Sequence, residues 1–205
     1  MAEDRGGTTA AFGDEPRAGV EREGLSVDGH AGPNTKAALY GAVTPPSSPP
    51  PGGGYAKILD VARAEVGTVE GSARANSYGS AVGLSLSTGN YAWRATFVSW
   101  VAEQTGASSY RSSYVSGWVK QARAGNYHLS VTASPQPGDI VAFDWDGGSD
   151  FTGGNEHIGI VRTVSGSSFT TVEGNTGDPN GGRDGVYVKS RSTSSGYDVV
   201  FVRVR

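Results

Sequence analysis

A run of proline and glycine near the first quarter of the chain limits what the remainder can fold into. Residues 45–54 read Pro-Pro-Ser-Ser-Pro-Pro-Pro-Gly-Gly-Gly. The proline half favours an extended polyproline conformation and the glycine half is flexible, so the segment predicts a spacer that cannot bury a core. We therefore expect a linker at 44–54 and a domain at 55–205 that folds without residues 1–44.

Charge and composition exclude several kinds of protein. The chain carries 17 Lys and Arg residues against 20 Asp and Glu residues, a net charge of −3, which argues against general nucleic-acid binding. No apolar run approaches the roughly 20 residues of a membrane-spanning helix. Residues 1–24 are polar and charged and lack the apolar stretch of a secretory signal peptide. We expect a monomer that binds neither nucleic acid nor membrane.

The hydrophobic pattern after residue 54 changes from a helical period to a strand period. Apolar residues recur at helical spacing from Tyr55 to Val66, and a second helix is predicted over 93–104, with Gly106 as its C-terminal signal. Strands are predicted at 141–145, 157–164, 168–173, 186–190 and 199–204. Two helices followed by about five short strands predict an α+β domain, with N-terminal helices packed on a small antiparallel β-sheet.

Two of these strands form a predicted hairpin. Residues 157–164 and 168–173 are joined by Ser165-Gly166-Ser167, which is typical of a tight hairpin loop. The pairing that this loop predicts sets Val164 against Ser168. A slip of one residue would turn every side chain of the second strand to the other face.

The predicted register gathers three polar side chains. His157 lies opposite Asn175, and Glu173 lies diagonal to His157 on the same face. An imidazole, a carboxylate and an amide are the groups that hold a general-base histidine in one tautomer and orientation. The hairpin therefore predicts a candidate catalytic site at the start of its first strand.

Four motifs follow one another in the part of the chain after the linker. They are Trp93-x-Ala95-x-Phe97-Val98-Ser99-Trp100, Pro137-Gly138-Asp139-Ile140-Val141, His157-Ile158-Gly159-Ile160-Val161 and Val172-Glu173-Gly174-Asn175. In this order they resemble the CHAP family, the cysteine, histidine-dependent amidohydrolases/peptidases of phage endolysins and bacterial peptidoglycan hydrolases. The resemblance implies a papain-like fold, a cysteine nucleophile directly after the first tryptophan, a histidine base, and a Glu and an Asn that orient the base.

The resemblance assigns the base to His157 and the orienting pair to Glu173 and Asn175, but it places Arg94 where the nucleophile belongs. The chain has no cysteine. A thiolate at a helix N-terminus is stabilised by free N–H groups, whereas an arginine is always protonated and has no nucleophilic lone pair. Thr96 and Ser99 are predicted to point away from His157 around the helix. We therefore expect this chain to be inactive as a hydrolase. We also expect the guanidinium of Arg94 to enter or border the cleft and to pair with a carboxylate, with Glu173 as the nearest candidate.

Two functions stay open from the sequence. The first is a peptidoglycan amidase or endopeptidase domain that is disabled at Arg94. The second is a non-catalytic peptidoglycan-binding or structural module on the same scaffold. Both place the chain on bacterial peptidoglycan, as a phage-encoded endolysin or an extracellular protein. Trp93 is a candidate substrate contact beside the cleft, although burial in the core is the commoner role of a tryptophan.

Three acidic residues, Asp144, Asp146 and Asp150, resemble a fragment of a calcium-binding loop around Trp145. A full calcium site needs about six to eight oxygen ligands, including a bidentate carboxylate at a set distance. We favour an acidic solvated loop over a calcium site here, and we expect no cofactor.

Residues 25–39 resemble the second half of a peptidoglycan-binding module. An Asp28-Gly29 turn is followed by Gly32-Pro33-Asn34-Thr35, which suits the start of the last helix of that module. The helix that would precede it is missing, because residues 1–24 are polar and have no apolar period. We expect a polar, disordered leader at 1–24 and a truncated remnant at 25–43, too small to fold alone.

Overall fold

The computed structural model describes residues 55–87 and 91–205 of the 205-residue chain. The predicted leader at 1–24, the module remnant at 25–43 and the linker at 44–54 lie outside the described residues, so these predictions stay open. In the part of the chain that the structure describes, no helix is both long enough and apolar enough to cross a membrane.

Four α-helices and one 3₁₀ helix lie within the described residues. Helix α1 covers Tyr55–Ala64, α2 covers Ala73–Ser77, the 3₁₀ helix covers Tyr78–Val82, α3 covers Arg94–Thr105 and α4 covers Val115–Ala124. Helix α3 ends at Gly106, which has a left-handed backbone with φ 63°. This conformation lets the chain satisfy the last helical carbonyls and leave the helix axis, as the sequence predicted for Gly106.

The strands form one antiparallel sheet. Strand β1 covers Leu129–Thr132, β2 Ile140–Asp144, β3 Glu156–Ser165, β4 Ser168–Thr176, β5 Gly185–Ser192 and β6 Asp198–Val204. Their order across the sheet is β1-β6-β2-β3-β4-β5. Strand β3 therefore has a neighbouring strand on each side, and Glu156 and His157 at its start pair with Asp144 and Phe143 of β2.

Both faces of the sheet carry apolar side chains. Ile158 and Ile160 of β3 belong to the main core, together with Phe97 and Val101 of α3. A second cluster contains the alternate residues of the strands, namely Val141, Phe143, Val161, Phe169 and Phe201. Because neighbours along a strand point to opposite faces, each strand contributes to both clusters. Helix α3 thus packs on one face, and an aromatic cluster covers the other.

The α+β class is confirmed, with helices that precede an antiparallel sheet. The papain-like assignment within that class stays a prediction. Helices α2 and α4 and strand β1 were not predicted. In α4, Gly117 breaks an otherwise helical apolar pattern, but a Cβ at this position would lie 2.4 Å from the hydroxyl of Tyr110. The glycine is needed for a close approach between packed segments, and it does not mark a turn.

The loop between β3 and β4 is shorter than predicted. Ser165 pairs with Ser168, so the loop consists of Gly166 and Ser167, and the predicted pairing of Val164 with Ser168 is wrong. Gly166 has φ 59°, the left-handed conformation that two-residue hairpin loops require.

A bulge in β3 restores the predicted register near the candidate site. The pairing shifts by one residue between Val161 and Thr163, which leaves Arg162 as the extra residue. Beyond the bulge Ile160 pairs with Val172, as the original register requires. The error at the loop is therefore compensated before the strand reaches His157.

Candidate active site

Strands β3 and β4 bring His157 and Glu173 together. Nε2 of His157 lies 2.9 Å from Oε2 of Glu173. This contact does not have the geometry of a well-formed hydrogen bond. The imidazole is nearly buried, with 10% of its side chain exposed, and its centroid lies 6.3 Å from the ring centroids of Phe143 and Trp145. His157 is thus held between a carboxylate and an aromatic wall.

The carboxylate of Glu173 is fully buried and surrounded by donors. Thr171 Oγ1 donates to Oε1, and Arg191 donates through Nε to Oε1 at 2.8 Å and through Nη2 to Oε2. Burial alone would raise the pKa of Glu173, but the contacts from His157 and Arg191 outweigh burial and lower the pKa from 4.5 to about 2. Glu173 is therefore ionised at neutral pH.

Gly159 makes room for this carboxylate. A Cβ at position 159 would lie 2.7 Å from Cγ of Glu173 and 3.1 Å from the backbone oxygen of Val172. Real Cβ atoms do not approach this closely, so a side chain at 159 would displace Glu173. The glycine of the His-Ile-Gly motif is explained by this contact.

Asn175 contacts helix α3 rather than the histidine. Its Oδ1 accepts the backbone N–H of Trp93 at 2.9 Å, and the contacts of the described residues include none between Asn175 and His157. The backbone of Asn175 is left-handed, with φ 55°, where the pairing of β4 with β5 is irregular. Asparagine tolerates this conformation better than most residues. Asn175 ties the end of β4 to the start of α3, and its orienting role stays a prediction.

Trp93 is a core residue beside the candidate site. It is 3% exposed, and its Nε1 donates to Oε1 of Glu70 at 2.9 Å. Gly174 lets β4 approach, because a Cβ there would lie 2.9 Å from the Trp93 ring. Trp93, Glu70 and Tyr91 border a cavity of about 190 Å³. A substrate contact by Trp93 stays a prediction.

Arg94 is the first residue of α3 and pairs with a different carboxylate from the one expected. Its Nη2 lies 3.4 Å from Oε2 of Glu156, and its buried Nε has no hydrogen-bond partner among the described residues. The expected pair of Arg94 with Glu173 is wrong for two reasons. Glu156 precedes His157 on β3, so the Arg94 contact lies on the opposite face of the strand. Glu173 is already bound by Arg191.

An open cleft of about 420 Å³ lies in front of Arg94. Its walls include Tyr91 and Tyr114, which are 49% and 73% exposed, together with Phe151 and Glu156. The floor of the cleft is therefore charged and its rim is aromatic.

Thr96 and Ser99, which follow Arg94 in α3, are both buried. Ser99 Oγ donates to the backbone oxygen of Ser112 at 2.8 Å, and Thr96 is 1% exposed. Neither lines the cleft. The structure therefore offers no substitute nucleophile at these two positions.

The acidic loop after β2 does not gather its three carboxylates. Oδ2 of Asp144 accepts the backbone N–H of Phe151, and Asp150 accepts from the backbone and hydroxyl of Thr152. A hydrogen bond between the carboxyl groups of Asp144 and Asp146 lowers the pKa of Asp144 and raises the pKa of Asp146. No group of three or more His, Asp or Glu residues within 55–87 and 91–205 is placed to hold a metal ion. The interpretation of this segment as a solvated acidic loop without a cofactor stays a prediction.

Residues 86–175 match the family model of the CHAP domain. This segment is a CHAP domain. It contains the start of α3 and strands β2, β3 and β4, and thus Arg94, His157, Glu173 and Asn175. A CHAP domain implies a peptidoglycan hydrolase-like amidase or endopeptidase, and it suggests peptidoglycan as substrate and the cell wall as the place of action. No curated protein and no solved structure matches the chain.

Three residues of the site were not predicted from the sequence. Thr171 could have been found, because it lies two residues before Glu173 on one strand and so shares its face. Glu156 gave no signal beyond its position beside His157. Arg191 lies one residue beyond the predicted end of its strand, and the family match ends before it. Only the pairing of β5 with β4 brings Arg191 to Glu173.

Proposed function

We propose that this CHAP domain is a cysteine-type peptidoglycan amidase or endopeptidase that is disabled by Arg94 at the nucleophile position. One observation supports the proposal above all. The pair of His157 and Glu173 is assembled at 2.9 Å, whereas the first residue of α3 is an arginine. The base pair is therefore assembled and Arg94 cannot react, but Arg94 meets β3 on the face opposite to His157, and His157 does not line the cleft at Arg94. The test below therefore asks whether the imidazole can serve a thiol at position 94.

The chemistry explains why this one position matters. A cysteine-type hydrolase attacks the amide carbonyl carbon with a thiolate, and water then hydrolyses the thioester. The histidine takes the thiol proton and returns it to the leaving amine. Arg94 stays protonated and has no lone pair with which to form the covalent intermediate. Loss of the nucleophile in related sites lowers the rate by several orders of magnitude.

Lysis of purified sacculi tests the proposal. We expect no fall in turbidity with the native chain and a clear fall with Arg94→Cys. Arg94→Ala is the matched control, because it removes the guanidinium without supplying a thiol, and it should stay inactive. His157→Ala in the Arg94→Cys background should abolish the restored lysis.

Thiol reactivity gives a second readout. The thiol of Arg94→Cys should react faster with iodoacetamide at pH 7 than free cysteine, and the advantage should disappear in His157→Ala. A folded Arg94→Cys protein with ordinary thiol reactivity and no lysis would reject the disabled-enzyme proposal.

The cleft supports a second candidate function, a module that binds the wall without cutting it. Tyr91 and Tyr114 expose their rings at the rim of a cleft large enough for a short peptide or a sugar. Under this function, the native chain should sediment with sacculi and Tyr114→Ala should weaken sedimentation. Tyr127→Ala is the matched control, because Tyr127 is 47% exposed and does not line the cleft.

We further propose a papain-like arrangement and action as a monomer that binds neither nucleic acid nor membrane, as a phage-encoded or extracellular wall protein. The packing of α3 on the sheet beside β3 supports the first part. The net charge of −3 supports the absence of a nucleic-acid partner.

A further inference from the structure

Arg191 stands out among the charged residues because it is largely buried and binds the carboxylate behind the candidate base. It comes from β5, where it pairs with Phe169 of β4. Its side chain is 21% exposed, and its guanidinium carbon lies 5.3 Å from the ring centroid of Phe143 and 5.0 Å from that of Trp145. These are the two aromatic residues that also flank the imidazole of His157. Arg191 is thus built into the same wall as His157.

The guanidinium of Arg191 binds the carboxylate of Glu173 in a bidentate manner. Nε donates to Oε1 and Nη2 donates to Oε2, and Oε2 is also the oxygen that faces Nε2 of His157. A bidentate guanidinium fixes the plane of a carboxylate as well as its charge. The direction in which Glu173 presents Oε2 to the imidazole is therefore set by Arg191.

The charges around Glu173 also indicate a role for Arg191. Glu173 is fully buried, and burial by itself raises the pKa of this carboxyl. The charged or titratable groups that face Glu173 are His157 from β3 and Arg191 from β5, and Tyr197, just before β6, acts on Arg191. Of these, Arg191 carries a fixed positive charge at neutral pH. Its charge beside the buried carboxylate therefore does not depend on the state of the imidazole.

We propose that Arg191 is a positioning residue of this site, which holds Glu173 ionised and oriented so that Oε2 faces His157. It acts on the base through Glu173 and touches neither the cleft nor the residue at position 94. Its role in hydrolysis rests on the proposed function, whereas its effect on Glu173 does not.

The charge state of Glu173 gives the first test, in the full native chain. The carboxyl carbon of ¹³C-labelled Glu173, assigned with Glu173→Gln, is followed by NMR against pH. We expect a titration midpoint of about 2 in the native chain and a clearly higher midpoint in Arg191→Met, in which only His157 still opposes the effect of burial. A midpoint that stays at about 2 in Arg191→Met would overturn the proposal.

Two further variants keep this test decisive. Arg203→Met is the matched control, because Arg203 binds the buried Asp139 through the same two nitrogens and is 24% exposed. It should leave the Glu173 midpoint unchanged. If Arg191→Met does not fold, Arg191→Lys keeps the charge but loses the bidentate contact, and its midpoint should rise by about one pH unit or more. An unchanged midpoint in Arg191→Lys would then overturn the proposal.

The orientation of the base gives the second test, in the Arg94→Cys background. Arg191→Met should lower the rate of thiol alkylation at pH 7 by about tenfold, towards the level of His157→Ala. Arg191→Lys should lie between the two, and Arg203→Met should match the parent. An unchanged rate in Arg191→Met would refute the positioning role. If Arg94→Cys has no His157-dependent reactivity at all, the proposed function fails, and the carboxyl titration still decides what Arg191 does to Glu173.

Discussion

Two arginine–carboxylate pairs lie on opposite faces of the sheet at the candidate site, and they differ in how well they are satisfied. Arg191 and Glu173 form a bidentate pair with a fully buried carboxylate. Arg94 and Glu156 form a single contact of 3.4 Å, and Nε of Arg94 has no partner among the described residues. Bidentate charged hydrogen bonds are stronger and more directional than single long contacts. The base half of the site is therefore well ordered, and the nucleophile half is loosely satisfied.

The difference follows from the elements that carry the arginines. Arg191 lies in a strand whose neighbour supplies Glu173, so strand pairing sets the distance between them. Arg94 lies at the first position of α3, where the helix dipole disfavours a positive charge by about 0.3–1 kcal/mol. Strand pairing thus holds Arg191 beside its carboxylate, whereas the helix dipole destabilises the charge of Arg94.

The largest expected effect is on stability. Glu173→Gln should lower the free energy of unfolding by about 3 kcal/mol at pH 7, because it leaves Arg191 largely buried without its counter-charge. Glu156→Gln should cost about 1 kcal/mol or less, since its contact with Arg94 is single and long. Urea unfolding of both variants measures the difference. Equal losses would mean that the two pairs are equivalent.

Gly159→Ala should lower the free energy of unfolding by about 1–3 kcal/mol, because the new methyl group would overlap Cγ of Glu173. The matched control is Gly153→Ala, where a Cβ would meet only the flexible carboxyl end of Asp146. Urea unfolding should show little change in this control. A mild effect at both positions would show that Glu173 moves as freely as Asp146.

The pH dependence of the free energy of unfolding should reflect the pair of Glu173 and Arg191. The pKa of Glu173 is about 2 in the folded state and 4.5 as the ordinary value, so its contribution is fully present above 4.5 and is lost as pH falls through about 2. Between pH 5 and pH 3 the loss should be about 2 kcal/mol. Glu173→Gln should remove this part of the slope, and denaturant unfolding at both pH values measures it. An unchanged slope would place the acid sensitivity on other carboxylates.

The smallest expected effect concerns Glu156, the partner of Arg94. In the Arg94→Cys background Glu156 loses its counter-charge and lies near the new thiol, where a negative charge disfavours the thiolate. Adding Glu156→Gln should therefore raise the rate of alkylation at pH 7 by about three- to tenfold. Adding Glu103→Gln, on the far turn of α3, should change nothing. A lower rate in the Glu156→Gln double variant would mean that Glu156 supports the thiol.

Much of the site follows from local patterns in the sequence. The helical period predicts α3 and the alternating period predicts β2, β3 and β4, so the proximity of His157 and Glu173 follows from a hairpin of neighbouring strands. The partner of Arg94 does not follow. The register of one hairpin does not determine which face of the sheet a helix will contact. For this reason Glu173 was expected as the partner of Arg94, whereas the structure shows Glu156.

The sequence by itself determined the order of helices and strands, the position of Arg94 at the start of a helix, and the strand pair that carries His157 and Glu173. These depend on periodicity and on short-range pairing. Only the tertiary structure decided that Arg162 bulges, that Asn175 binds the start of α3, and that Arg191 binds Glu173. The bulge lies within one hairpin, but no residue type in its sequence marks it. The other two contacts join segments distant in sequence, and they arise from close packing and from the need to pair every buried polar group.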